Sequence, residues 1–563
     1  MSRFLDFVEQ LDGETRQALS IKSGYDEMLL LVALLRDHLA GKLTTSTSLA
    51  QSSGMSYGTA IRAMASIEER GLLFRRPRTR SGKSYSLHPS DKLIREWLEF
   101  ARRVHALVGS TIGLNVARGG INPDYFFGSS YNQGSTISPL GVLAFKLPRL
   151  RELRILVHAD PTFMAMHVLK KQFETIFGVP IKSRAMSIDR LRDEILSNAE
   201  KALSDYDLIA CDLPWFGEMA KAGRFLPVDD LMKQTTLDTS DFHSEALASA
   251  RYKGVQYGIP VQTTPELLVC RSDLLAEHGL NAPRTIEETL IAAKALHSRG
   301  RSISGIAWNA ARGTPLGHSF LFIMGAFGQP ALNLSPTSSG FDGETVEGEN
   351  FRPMFDTEAA RNTAEYMREL LSYSPSSILS MSWYERARAY ADGKVGMAYC
   401  ATLLAPMFEL DPNSPAYAVT EYLPHPCGPK GRPIAPLGGY ALAIPSNVTA
   451  DRIRPIWTAL TSLTSPNAIK LYIENGSLVS PRFSVSMDPE VKKISSLISI
   501  VDEMARFGVL QMWPRPPVPE ITDVIAIAGE ELHDMLLGAK SIEKALANAQ
   551  NRADALMRSH GHY

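Results

Sequence analysis

The chain has 563 residues, of which 44% are hydrophobic and 21% charged, and its 59 Lys+Arg against 60 Asp+Glu leave a net charge of −1. That length allows about three to five domain-sized units. The composition excludes a disordered, collagen-like or fibrous chain, and the balance of charge excludes a uniformly basic nucleic-acid coat while leaving local patches open. The four cysteines, Cys211, Cys270, Cys400 and Cys427, form no CxxC pair, so neither a zinc knuckle nor a thioredoxin motif is expected. Asp6, Glu9, Asp12, Glu14 and Arg16 interrupt the N-terminal segment, which gives no secretory apolar core. No run reaches the roughly 18–20 apolar residues of a membrane span. The resulting expectation is a cytoplasmic chain with reduced thiols and no membrane partner.

Residues 25–39 carry apolar side chains at helical spacing. Thr47–Ser52 can form a short helix, Gly54 suits a tight turn, and Ser56 can cap a second helix over Tyr57–Arg70, which Gly71 ends. Leu72–Arg75 and Ser84–Leu87 can pair as strands around the loop PRTRSGK. Between Arg62 and Lys83 stand seven basic residues against Glu68 and Glu69, a local +5 of the kind that backbone phosphates attract. This segment, LAQSSGMSYGTAIRAMASIEERGLL with its basic hairpin, resembles the winged helix-turn-helix domains of bacterial transcription regulators over about residues 25–90. The resemblance implies a double-stranded DNA operator as partner, with Ser56, Tyr57, Thr59, Ile61 and Arg62 facing the groove and Arg78, Arg80 and Lys83 gripping phosphates from the wing. A small helical domain with a solvated basic hairpin is the plainer reading.

Residues 91–108 form an amphipathic helix whose stripe runs from Leu93 through Trp97 to Val108. It could pair two copies into a homodimer or pack on its own domain. Residues 109–150 lose periodicity and read as a linker rich in glycine.

From Leu153 strand and helix alternate: LRILVH is a strand, Thr162–Phe177 a helix, VPIKSRAM a strand, Ile188–Asn198 a helix and DLIACDL a strand. Such alternation predicts a parallel sheet covered by helices, with ligands beyond the carboxyl ends of its strands, near Asp160, Met186, Asp212 and Trp215. Five segments then follow in order: DLIACDLPWFGEMAKAGRFLPVDDL, YGIPVQTTPELLVCRSDLLAEHGLNAPRTIEETLIAAKAL, YADGKVGMAYCATLLAPMFE, LGGYALAIPSN and GAKSIEKALANAQNRADALM. Together they resemble the maltose-type, family-1 solute-binding proteins of ABC importers, over about residues 151–557. The resemblance implies two α/β lobes of the periplasmic-binding-protein type II class closing on a ligand. It points to Asp212, Trp215, Gln262, Thr263, Trp308, Arg312, Trp383, Tyr384, Ala401, Gly439, Tyr440 and Arg482 as cleft residues. Trp215, Trp308 and Trp383 could equally be core, and Arg312 and Arg482 could pair with surface acids. Leu403 stands where maltodextrin-binding relatives carry a stacking aromatic, and VIAIAG follows WPRPPVPEI where they carry another. A small ligand is therefore expected, a sugar, polyol or sugar acid, with Arg312 available to a carboxylate or phosphate.

No P-loop, HExxH, GxSxG or spaced His/Cys cluster occurs, and His318, His425 and His533 stand isolated. No catalytic residue, metal or cofactor is expected, although acids that sequence cannot pair leave a glycosidase open. The sequence thus reads as a multidomain chain: an N-terminal α(+β) winged helix-turn-helix domain over 1–108 with a dimerisation helix at 91–108, a linker over 109–150, and a two-lobed α/β sensor over 151–563. The leading expectation is a cytoplasmic, ligand-responsive DNA-binding regulator. The alternative is a solute-binding component of an ABC importer with an unusual N-terminal extension, and a third reading is a cleft that recruits a protein partner.

Overall fold

The computed structural model describes residues 11–13, 15, 25–39, 42–77, 85–111, 147, 150–235, 237–298 and 302–563. The chain divides into two compact units, Met1–Ser138 and Pro139–Tyr563.

In the first unit, helices span Tyr25–Leu39, Ser46–Ser52 and Tyr57–Glu69. Their starts follow from capping: Thr45 and Ser48 cap each other's backbone N–H groups, and Ser56 accepts from the Thr59 N–H at 3.3 Å. Strands β1 (Leu73–Pro77) and β2 (Tyr85–Pro89) pair antiparallel, with Leu73 opposite Pro89 and Pro77 opposite Tyr85. Leu30, Leu31, Leu34, Leu49, Met64, Ile67, Leu73 and Leu87 form the core. The next helix, Asp91–Thr111, lays Leu93, Ile94 and Trp97 on that same core. The start of its apolar stripe is thus taken up within its own unit; the side chains of the stripe's last residues, and the linker's 112–146, lie outside the described residues.

The second unit is built on two sheets. The first contains β3 (Leu153–His158), β4 (Ile181–Met186), β5 (Leu208–Asp212), β6 (Gly258–Pro260) and a late strand, Tyr440–Ala443, in the order β4–β3–β5–(440–443)–β6. β3 is parallel to both neighbours, and the late strand is antiparallel to β5 and β6. The expected helix over Thr162–Phe177 is two helices, Pro161–Val168 and Lys170–Phe177, which break at Leu169. The second sheet contains β7 (Glu266–Arg271), β8 (Ser304–Ala307), β9 (Val395–Ala401) and β10 (Thr420–Leu423) in the order β8–β9–β7–β10. We call Tyr440–Ala443 β11.

The chain passes between the sheets over residues 261–265, 424–439 and 512–520, after which helices Ile521–Leu536 and Ile542–Ser559 complete the core of the second sheet. The passage at 438–439 requires glycine. Gly439 has φ +127°, and a Cβ there would sit 2.9 Å from the Gln262 carbonyl oxygen. Among the described residues no helix is long and apolar enough to cross a membrane.

Candidate functional site

The carboxyl ends of the first sheet's strands face a cavity of about 690 Å³, measured with its open mouth. Asp212, at the last position of β5, and Tyr440, at the first of β11, lie opposite each other in strand register and line one side. Trp383 and Tyr384, which open the helix Trp383–Ala391, line the other, with Glu266 at the start of β7 and Ala401 at the end of β9. The two sides touch: the Tyr384 hydroxyl donates to the Ala159 carbonyl at 3.3 Å. Apolar atoms of Leu403, Leu404, Phe322 and Pro436 supply much of the wall, and His158 stacks on Tyr440 with ring centroids 4.9 Å apart. Trp215 lies just beyond, in a neighbouring hollow that shares Ile188, Asp212 and Trp383 with the first.

Charge in the cavity is arranged in fixed pairs. Burial pushes the Asp212 carboxyl above its ordinary range, opposed by the Arg515 guanidinium 3.7 Å away and by His158. Arg515 Nη1 donates to His318 Nε2 at 2.7 Å, and Nη2 donates to the Leu437 carbonyl at 3.3 Å. His318 Nδ1 lies 2.7 Å from the Thr314 carbonyl, which fixes the tautomer: Nδ1 carries the proton and Nε2 accepts. Burial, aided by Arg515, holds the His318 imidazole neutral, with its pKa lowered to about 3. Glu266 is 3% exposed and ion-paired to Arg386 at 2.5 Å and to His425 at 3.4 Å. Burial alone would raise its pKa, but Arg386 and His425 reverse the shift and bring it to about 2.

The expected cleft residues separate into groups. Asp212, Trp383, Tyr384, Ala401, Gly439 and Tyr440 line the cavity. Gln262 and Thr263 are fully buried behind it. Gln262 Nε2 donates to both Asp160 oxygens at 2.9 and 3.0 Å, and Asp160 in turn caps the helix Pro161–Val168. Three residues are elsewhere. Trp308 is 0% exposed in the core of the second sheet, its Nε1 donating to Ser374 Oγ at 3.0 Å. Arg312 is on the surface, paired with Asp534, so it cannot hold an anion in the cavity. Arg482 is buried against Phe242, donating to Asp241 at 2.9 Å and to the Thr464 carbonyl at 2.8 Å.

Sequence reasoning missed Glu266, Arg515 and His318 as a group. The signal for Glu266 was a charge heading the apolar run ELLVC. The signal for Arg515 was a cation in WPRPPVPEI, a segment read only as the one preceding VIAIAG. Among the described residues, no group of three or more His, Cys, Asp or Glu gathers as a metal site.

In the first unit, Tyr57 is exposed and Ser56 and Thr59 are spent on each other, hydroxyl to hydroxyl at 2.8 Å. Ile61 packs on the core, and Arg62 is exposed with its Nε donating to the Gly58 carbonyl at 3.3 Å. Arg78, Arg80 and Lys83 lie outside the described residues.

The chain matches the family of bacterial extracellular solute-binding proteins over residues 179–466 and belongs to that family. Its second unit has the two-lobed fold of that class. The ribitol complex of an ABC transporter solute-binding protein from Agrobacterium radiobacter aligns with a TM-score of 0.65 at 22% identity, covering 73% of this chain and 100% of that one. Maltose-bound MalE3 of T. maritima aligns with a TM-score of 0.61 at 20% identity, covering 72% of this chain and 99% of that one. An ABC transporter solute-binding protein from Agrobacterium vitis, with D-mannitol bound, gives 0.61 at 19% identity, with 73% and 99% covered.

These findings correct the leading expectation. The family binds solutes and is not an enzyme family, and it is extracellular, so the cytoplasmic DNA-binding regulator gives way to a solute-binding protein. The double-stranded DNA operator falls with it. The expectation of no membrane partner falls too, since the neighbouring structures are components of ABC transporters. In the folded unit Glu68 holds Arg75 at 2.7 Å, and Glu27 pairs with Arg70. Those two guanidiniums are already partnered within the unit.

Proposed function

We propose that this member of the extracellular solute-binding family captures a small sugar or polyol in the cavity between its lobes and delivers it to the permease of an ABC importer. One observation carries the reading. Trp383 and Tyr384 from one lobe and Tyr440 and Asp212 from the other wall a single cavity, so a ligand there touches both lobes and favours their closure. Aromatic faces suit the C–H face of a polyhydroxy ligand, and Asp212 and Arg515 offer hydrogen-bonding partners for its hydroxyls. The structural neighbours named with ribitol, D-mannitol and maltose support that ligand class. The same proposal takes the N-terminal unit as an extension in the winged helix-turn-helix arrangement, supported by three helices followed by an antiparallel hairpin; no operator is assigned to it.

The test is calorimetric titration of the full chain with ribitol, D-mannitol and maltose. At least one should bind with saturable heat, and Trp383→Ala should weaken it by about tenfold or more. If none of the three binds at millimolar concentration, the proposal is wrong.

A further inference from the structure

Resting on that reading, we infer that Glu409 is a positioning residue: it takes a hydrogen bond from Ser495 of the other lobe, outside the cavity, and so sets how slowly a captured ligand leaves. Each partner is held firmly by its own lobe. Glu409 ends the helix Pro406–Glu409, which follows β9 in the second lobe, and one of its carboxylate oxygens accepts from the hydroxyl of Tyr422 in β10 at 2.6 Å. Burial, with Glu409 beside it, pushes the Tyr422 hydroxyl well above its ordinary range, so it stays protonated and remains a donor. In the first lobe, Ser495 caps the helix Ser496–Arg506, which Asp502 ties to His243 at 3.5 Å. The Ser495 hydroxyl oxygen accepts from the Leu497 N–H at 3.1 Å, and its proton goes to the other Glu409 oxygen at 2.7 Å.

The chemistry of this contact makes it a latch. The acceptor is a carboxylate, and charge-assisted bonds are about twice as strong as neutral ones. It lies at the N-terminus of an 11-residue helix, whose positive end favours an anion. Ser495 is 5% exposed, so water competes poorly for the bond. Neither residue lines the cavity, so the bond is indifferent to what the cavity holds. Opening the lobes parts residues 409 and 495, and release of a ligand from between the lobes waits for that step. The bond therefore lengthens residence and leaves entry untouched.

The experiment is stopped-flow tryptophan fluorescence of the full chain with ribitol, D-mannitol and maltose. Ser495→Gly removes the donor while glycine still serves as a helix cap. Its dissociation rate should rise about tenfold, by the same factor within about twofold for every ligand that binds, with the association rate within about twofold of wild type. Ser495→Thr keeps the hydroxyl and the cap and should stay within about twofold of wild type. Glu409→Gln weakens the same bond from the other side and should raise dissociation about threefold. The double variant should dissociate no faster than Ser495→Gly alone, because both changes act on one bond. A merely structural role would lower the melting temperature and leave the dissociation rate unmoved. An unchanged dissociation rate in Ser495→Gly, factors that differ from ligand to ligand, or effects that multiply in the double variant would each overturn the inference and leave the solute-binding reading intact. If ribitol, D-mannitol and maltose all fail to bind, the solute-binding reading falls and takes this inference with it.

Discussion

Replacing Trp308 by alanine distinguishes a residue that holds the fold from one that holds the ligand. The side chain is 0% exposed and sits in the second sheet's core among residues such as Ile306, Phe320 and Tyr399. Truncating a buried tryptophan costs about 3–5 kcal/mol, from lost transfer free energy and from the cavity left behind. The hydrogen bond adds little to that. Ser374 Oγ still donates to the Leu370 carbonyl at 2.8 Å, so its hydroxyl is not orphaned when the indole is gone. At about 2–4 °C per kcal/mol for a lobe of this size, the melting temperature should fall by about 6–20 °C. The folded fraction should bind ligand with nearly wild-type affinity, because the residue does not line the cavity. Differential scanning calorimetry with and without ligand, followed by titration well below the melt, checks both halves. A melt within about 2 °C of wild type together with a large loss of affinity would refute this placement.

Arg312→Ala removes an exposed pair with Asp534 and should change stability by less than about 1 kcal/mol and ligand affinity not at all, as read by melts and titration. Gly439→Ala places a Cβ 2.9 Å from the Gln262 carbonyl at φ +127° and should destabilise by about 1–3 kcal/mol, measured by urea unfolding. Acid should destabilise in two overlapping windows. The His318 pKa is lowered from 6.5 to about 3, so its contribution is present above pH 6.5 and lost as pH falls toward 3; that of Glu266, lowered from 4.5 to about 2, is lost from pH 4.5 downward. Melts from pH 7.5 to 4.5 should fall with pH, and His318→Gln should flatten that slope; an unchanged slope would remove His318 as its source.

What the sequence made legible was local. β3 and β5 are short apolar runs, and Asp212 follows from its place at a strand end, whereas Tyr440 came with the family resemblance of LGGYALAIPSN. The same logic could not separate Trp308 from Trp383. Both stand beside predicted elements, and only the packing of Phe320 and Tyr399 decides which one is interior. The arginines show the same limit. Arg312 is answered by Asp534 and Arg482 by Asp241, partners more than 200 positions away along the chain, so an arginine read as an anion clamp is a closed pair. Arg515 acquires its role only when the last crossing brings it to Asp212 and His318. Element boundaries were right to within a few residues except at Leu169, where φ −83° and ψ 2° end one helix and begin another. The wrong functional inference came from the likeness of residues 25–90 to a winged helix-turn-helix domain and from an N-terminal segment without a secretory apolar core, with a local positive charge, partly answered by Glu68 and Glu27 within the unit, as its support.

The late strand β11 has a consequence for synthesis. It inserts between β5 and β6, but its first residue, 440, follows the last of β5, 212, by some 230 positions. At about 5–20 residues per second, a ribosome needs about 10–50 s to supply it. Over that interval β5, whose five residues are all buried in the finished protein, has an unpaired edge with no legitimate neighbour. The first lobe therefore cannot close cotranslationally in sequence order: the nascent chain carries a half-built sheet until the whole second sheet has emerged.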